Sequence, residues 1–271
     1  MSSAAAGDEP VSAAVEDVVI CGGGIVAASI AYFLTQRGVK PLVVERSSVG
    51  CAASGKAGGF LARSWGDGSP TQQLHRVSFD LHEQLAETLG VTSYRRVRTV
   101  SVRAASAQRA AAQPRAAPWL DGPLLWSDMG GETAQVTPAE LTSRLMDAAV
   151  AAGAVLRIGV VDGVDVGPDG DVTAVRVDGL PVACARAVFA MGPWTTNLSR
   201  WLPGVNTPME GILSASVVYR SAALRDAVTA DPVALFCEED ARYGTHLEVY
   251  PRSNGELYVC GIGGSVRKRA I

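Results

Sequence analysis

The chain opens its ordered pattern with an apolar run that does not alternate. Val18, Val19, Ile20 and Cys21 are consecutive and end in three glycines, which reads as a short strand buried on both faces, 18–21. "IVAASIAYFLTQRG" then takes helical period, and Ile25, Ala28, Ile30, Ala31, Phe33 and Leu34 suit burial on more than one side. Gly38 is placed to cap that helix at its C-terminus. "KPLVVER" follows as a second strand, 42–45. Strand, glycine turn, helix and strand make one βαβ unit, which closes as a right-handed parallel crossover.

Further along the chain the pattern changes repeatedly. Residues 50–69 are glycine-rich. "LHRVSFDLHEQLAETLG" returns to helical period, with Leu74, Val77, Leu81, Leu85 and Leu89 on one predicted apolar face. "YRRVRTVSVRA" alternates as a strand does, and the Ala-rich stretch broken by Pro114 and Pro118 reads as a surface helix ending in a loop. A helix is expected from Pro138, with Thr137 as N-cap, Glu140 at the third position and Gly153 beyond its end. "GPDG" sits between two alternating runs as a hairpin turn. "ARAVFAMGPW" is an apolar strand running into a glycine turn, and "GILSASVVYR" and "ELYVCGIGG" are strand-like.

Composition narrows the class. The 271 residues are 48% hydrophobic and 19% charged, an ordinary globular balance with ample core material. A net charge of -3 and 6% aromatics offer neither a basic nucleic-acid surface nor a base-stacking platform. No apolar run approaches the length of a membrane span. The five cysteines include no C-x-x-C pair, which fits a reducing compartment. The acidic, small-residue start over residues 1–15 is expected to be a disordered tail. It lacks the basic character of a targeting signal, so a cytoplasmic location is expected.

The chemistry sits in the first turn, Gly22-x-Gly24-x-x-Ala27. Gly22 permits a tight exit from the strand. Gly24 lets a pyrophosphate approach the backbone, and Ala27 lets helix and strand pack closely. The helix N-terminus offers N–H groups and a positive dipole end to the phosphates, beginning at Ile25. Glu45 lies 21 residues after Gly24 at the end of the second strand, where an acid holds ribose hydroxyls and disfavours a 2′-phosphate. The second glycine cluster, "AASGKAGGFLA", replaces the crossover helix that an NAD domain would have there. An extended run of small residues suits a long cofactor with a flat ring, so FAD is favoured over NAD.

The order "VVICGGGIVAASIAYFLTQRG", "LVVER", "AASGKAGG" resembles the FAD-dependent D-amino-acid oxidase superfamily, which includes glycine and sarcosine oxidases. "AVFAMGPWTTNL" looks like its second flavin-side strand and turn, and the likeness runs over residues 16–262. The resemblance implies an α/β Rossmann-like FAD-binding domain over 16–92 and 131–200. A mostly antiparallel substrate domain would span 93–130 and 201–271. It places Gly22, Gly24 and Ala27 at the pyrophosphate, with Glu45 at the ribose and Arg46 beside it. Ser54, Gly55 and Lys56 would lie near the pyrophosphate and ribityl chain. Ala57, Gly58 and Gly59 would run past the isoalloxazine, Val161 would meet the adenine side, and Gly192 and Trp194 would close the flavin pocket. The implied reaction is oxidation of a C–N bond in a small amine or amino acid, with no acid–base residue to name.

The family carries a longer C-terminal part than this chain, which stops at "CGIGGSVRKRAI". A truncated or inactive flavin-fold protein kept for binding or regulation is therefore a second reading. An NAD-dependent dehydrogenase is a third, against which "SGKAGG" argues. His82-Glu83 begins like a zinc motif, but Ala86 stands where its second histidine belongs, so no metal is expected. His75 and His82 read as ordinary helix residues. Arg252, near His246, Tyr243 and Tyr250, could meet a carboxylate or simply face solvent.

Overall fold

The computed structural model describes residues 15–209, 211–212, 214–239, 246–261 and 267–268. Residues 1–14 of the expected tail, Tyr243 and most of the final "GIGGSVRKRAI" lie outside the described residues. Contacts divide the chain into two compact units, residues 1–48 with 149–207 and residues 49–148 with 208–271.

The first unit is built on a parallel sheet. Val19–Cys21 lies between Ala187–Phe189 and Leu42–Glu45, and Val155–Ile158 follows at the far side. Every residue of Val19–Cys21 and Leu42–Glu45 is buried, as unalternating runs require. Helix Ile25–Thr35 buries Ala27, Ala28, Ala31, Tyr32 and Thr35. Its apolar residues Ile30, Phe33 and Leu34 are only half-buried, so the buried face is made of three alanines with Tyr32 and Thr35. Gly38 adopts φ +78° and donates to the Thr35 carbonyl, closing the helix as expected. A three-stranded antiparallel sheet, Leu180–Ala183, Val172–Val177 and Val161–Val166, completes the unit. "GPDG" turns its hairpin, with the Gly170 N–H on the Gly167 carbonyl. Val19, Cys21, Leu42 and Val44 share a core with Val175, Val177 and Cys184.

The second unit centres on a six-stranded sheet in the order Ser216–Tyr219, Leu257–Gly261, Leu247–Pro251, Val233–Cys237, Arg98–Ala104, Leu124–Asp128. All its pairs are antiparallel except Val233–Cys237 with Arg98–Ala104. A smaller sheet joins Phe60–Ala62, Thr133–Gln135 and Arg95–Arg96. Thr133 Oγ1 donates to the Val97 carbonyl and meets Thr99 Oγ1, which ties the small sheet to the large one. Residues 49–92 and 131–148 therefore group with this unit by contact, which differs from the boundaries expected from sequence.

Three local expectations are corrected. In helix Gln72–Leu89, Leu74 and Val77 are 65% and 63% exposed, and Phe79 and Ala86 are the buried residues. Ion pairs from Arg63 to Asp80 and from Arg96 to Glu83, with Arg96 over the Phe79 ring, hold that other face inward. The Ala-rich stretch forms only the short helix Ala107–Ala110. Beyond it Ala116 and Ala117 are buried in the core with Val100, Val102, Val233 and Leu235. Helix Pro138–Ala151 forms as expected, but Glu140 does not reach back to Thr137. It accepts from the Thr92 and Ser93 N–H groups and the Thr92 hydroxyl, while Ser93 Oγ takes the Thr137 N–H.

Candidate cofactor and substrate site

The expected cofactor residues fall into both units. In the first, Gly22 has φ +107°, and a Cβ there would collide with the Ala190 carbonyl oxygen. Only glycine fits, because the backbone is left-handed and a neighbouring strand end closes over it. Gly24 is the N-cap of helix Ile25–Thr35. No acidic residue occupies the first turn of that helix. Ala27 is fully buried. These are the conditions for a phosphate at a helix N-terminus, so the residues present fit a dinucleotide.

Glu45 does more than the spacing argument assigned to it. It is buried, and its carboxylate accepts from the Gly23 N–H at 2.6 Å and the Ser47 N–H at 3.0 Å. One side chain thereby fastens the glycine turn to the end of the second strand. Arg46, exposed beside it, sets its guanidinium 3.8 Å from the Trp194 ring centroid. Trp194 and Gly192 belong to the 3-10 turn Gly192–Asn197, so Glu45, Arg46 and Trp194 line one end of this sheet. Val161 starts the strand Val161–Val166 and packs its side chain on the core of the unit.

In the second unit Ser54, Gly55 and Lys56 form a single helical turn, Ala53–Lys56, where an extended run was expected. The cause is Gly50 at φ +67° and the close approach of its carbonyl to Gly55, which fold the segment back. Lys56 and Ala57 are exposed, and only from Ala57 is the backbone extended. A Cβ on Gly58 would stand 2.6 Å from the Tyr250 ring and 3.2 Å from the Tyr258 ring. Gly59, at φ +79°, lies against the Val136 carbonyl. Tyr258 Oη donates to the Lys56 carbonyl at 3.1 Å. Gln135 is fully buried and donates to the Val136 and Gly58 carbonyls, while its Oε1 accepts nothing from the described residues.

The strands behind this loop carry side chains that sequence reasoning missed, beside Tyr250 and His246, which it named. Phe236, Glu248 and Cys260 are register partners on one face of the large sheet, with Tyr250 and Tyr258 paired in the next row. Phe60 stacks on Tyr250 at 5.2 Å, and Trp65 contacts Phe60 and Phe236 at 5.1 Å each. Glu248 accepts from Tyr250 Oη, and Cys260 Sγ lies 3.7 Å from the same oxygen. His246 Nε2 is 3.3 Å from its other oxygen. Burial, reinforced by Glu248, holds the Tyr250 phenol well above its usual range and pushes the Cys260 thiol up to about 11. Beside Phe236 a concavity of about 380 Å³ is lined by Ser101, Arg103, Ser127 and Glu238.

Arg252 is not a surface arginine. Its side chain is 11% exposed, paired with Glu256 at 3.3 Å and set over the Tyr258 ring. His75 meets Thr71 Oγ1, and His82 meets the Ser78 carbonyl. Among the described residues no group of His, Cys, Asp and Glu could hold a metal, and no helix is long and apolar enough to cross a membrane.

Comparison with known proteins bears on the family and the fold. The family described as FAD dependent oxidoreductase (DAO) matches residues 17–268. A Schizosaccharomyces pombe protein named as an oxidoreductase, C1F5.03c, is 26% identical over 90% of this chain and 70% of its own length. Among solved structures, glycine oxidase from Bacillus cereus superposes with TM-score 0.71 at 23% identity, over 94% of this chain and 72% of that one. L-proline dehydrogenase from P. horikoshii superposes with TM-score 0.74 at 18% identity, over 93% and 71%. These likenesses show the fold.

Proposed function

Because the chain belongs to the DAO family of FAD-dependent oxidoreductases, we propose that it oxidises a C–N bond in a small amine or amino acid. The observation that carries this reading is the locked glycine turn. Gly22 admits no side chain, the first turn of the helix beyond it carries no acidic residue, and Glu45 fastens the turn from the second strand. The names of the structural neighbours, a glycine oxidase and an L-proline dehydrogenase, support the substrate class.

On this reading Gly22, Gly24, Ile25 and Ala27 hold the pyrophosphate, and Glu45 and Arg46 the adenosine side with Val161, Gly192 and Trp194. Ser54, Gly55, Lys56, Ala57, Gly58 and Gly59 follow the ribityl and ring portion. Bound there, FAD would supply the electron acceptor for the substrate carbon beside nitrogen. The protein's own work is to orient the substrate and keep water from it. Gly58 and the Tyr250 and Tyr258 rings form a dry wall for that purpose, since no side chain separates them.

The test is a visible absorption spectrum of the purified chain with FAD, before and after gel filtration, followed by anaerobic addition of amines and amino acids. Co-eluting flavin that bleaches with one of these substrates is the expected result. A folded protein that retains no flavin refutes the cofactor site. Retained flavin that no amine or amino acid bleaches refutes the reaction and favours a binding role.

A further inference from the structure

The sheet face behind the Gly58 loop holds a carboxylate in an unusual setting. The Glu248 side chain is only 17% exposed. Its neighbours on that face are Phe236, Tyr250 and Cys260, and Phe60 and Trp65 stand over them. Removing a carboxylate from water costs several kcal/mol unless a cation or several donors compensate. Tyr250 and Cys260 donate to it, but both are neutral donors, held protonated by burial and by Glu248 itself. Among the described residues no lysine or arginine comes within ion-pair distance of Glu248. Among those residues His246, at 3.3 Å, is the cationic candidate beside it.

Two described arginines of the same unit make contacts elsewhere. Arg252 pairs with Glu256 and covers the Tyr258 ring. Arg95 donates to the Thr229 and Pro251 carbonyls. Neither is placed to clamp a substrate carboxylate, while Glu248 is placed to repel one. Aromatic faces beside an acid suit a cation instead, since ring quadrupole and carboxylate attract it together.

We propose that Glu248, framed by Phe60, Trp65, Phe236 and Tyr250, is the seat for a positively charged amino group. The substrates are then amines that carry no carboxylate next to that group. This rests on the reading that the chain oxidises C–N bonds, and it narrows the substrate class from amines and amino acids to amines without an adjacent carboxylate.

The experiment titrates the full chain with propylammonium chloride and, separately, sodium propionate at constant ionic strength, reading tryptophan emission against a Trp65→Phe control. A saturable change with propylammonium and none with propionate is expected, and the change should be absent from the control. Glu248→Gln should weaken propylammonium binding about tenfold or more. Glu248→Asp, which keeps the charge, should retain it and so separates lost charge from lost fold. Equal binding of propionate, or undiminished binding by folded Glu248→Gln, overturns the inference.

Anaerobic flavin bleaching then tells the two readings apart. If the cation binds as expected and no amine bleaches bound flavin, the seat stands and the oxidation reading fails. If an amino acid bleaches it equally in wild type and Glu248→Gln, the oxidation reading stands and the seat is overturned.

Discussion

Glu45→Gln separates two roles that the spacing of Gly24 and Glu45 cannot. A residue that only holds a ribose leaves the FAD-free protein unaffected when it is neutralised. In this structure Glu45 also accepts the Gly23 N–H at 2.6 Å and the Ser47 N–H at 3.0 Å, from a position 8% exposed. Hydrogen bonds to a charged acceptor contribute about 1.5–3 kcal/mol each. Glutamine keeps one oxygen, so one of the two bonds survives in weaker, neutral form. Its amide nitrogen turns a donor toward the other N–H, which loses its acceptor.

The expected loss is therefore about 2–3 kcal/mol, before any cofactor is added. In urea this moves the unfolding midpoint on the order of 1 M, given slopes of about 1–3 kcal/mol per M. The assay is equilibrium denaturation of the FAD-free protein, paired with an FAD titration of the native one. FAD affinity should fall as well, because an unfastened turn must be ordered by the ligand. A midpoint unchanged within a few tenths of a molar, with FAD affinity reduced, would refute the turn-fastening argument and leave Glu45 with the ribose alone.

Gly58→Ala should destabilise the second unit by about 1–3 kcal/mol, since its Cβ lies 2.6 Å from a Tyr250 ring that is stacked and hydrogen-bonded in place; calorimetry showing no shift would mean the loop moves freely. Burial raises the Glu140 pKa, but its bonds from Ser93 and Thr92 outweigh that, so the folded value lies below the ordinary 4.5. Its stabilisation is complete above the unfolded pKa and is lost as pH falls through the folded one. Denaturation across that acid range should therefore show a limb that Glu140→Gln flattens. Burial, with Cys184 beside it, pushes the Cys21 thiol up to about 12. Cys21 should resist thiol reagents at neutral pH until the protein unfolds, and mass mapping of labelled cysteines that finds it modified early would contradict the buried sheet.

The first βαβ unit was legible because its signals are local and agree. An unalternating strand, glycines at the turn and an acid at the next strand end all specify one geometry. The same is true of the "GPDG" hairpin and the helix from Pro138. Long-range partners were not legible. Glu140 satisfies the capping pattern in sequence, yet Thr92 and Ser93, far away in the chain, take its carboxylate. Ala116 and Ala117 read as surface, yet they fill the core beside Val100 and Val233.

The strand Leu247–Pro251 shows why the candidate seat escaped notice and why it matters. Alternation in "LEVYP" puts Leu247 with Val249 on one face and Glu248 with Tyr250 on the other, and hydrophobicity alone favours burying the first pair. Leu247 is 48% exposed, whereas Glu248 is 17% exposed and Tyr250 is buried. Val249 still packs on its own side, so the sheet buries both faces and has accepted an acid on one of them. A sequence whose levels otherwise agree departs from the simple rule where function requires it. At Glu248 the departure is costly, because a carboxylate has replaced apolar surface among four aromatic rings. Stability gives no reason to keep it there, and a cationic substrate does.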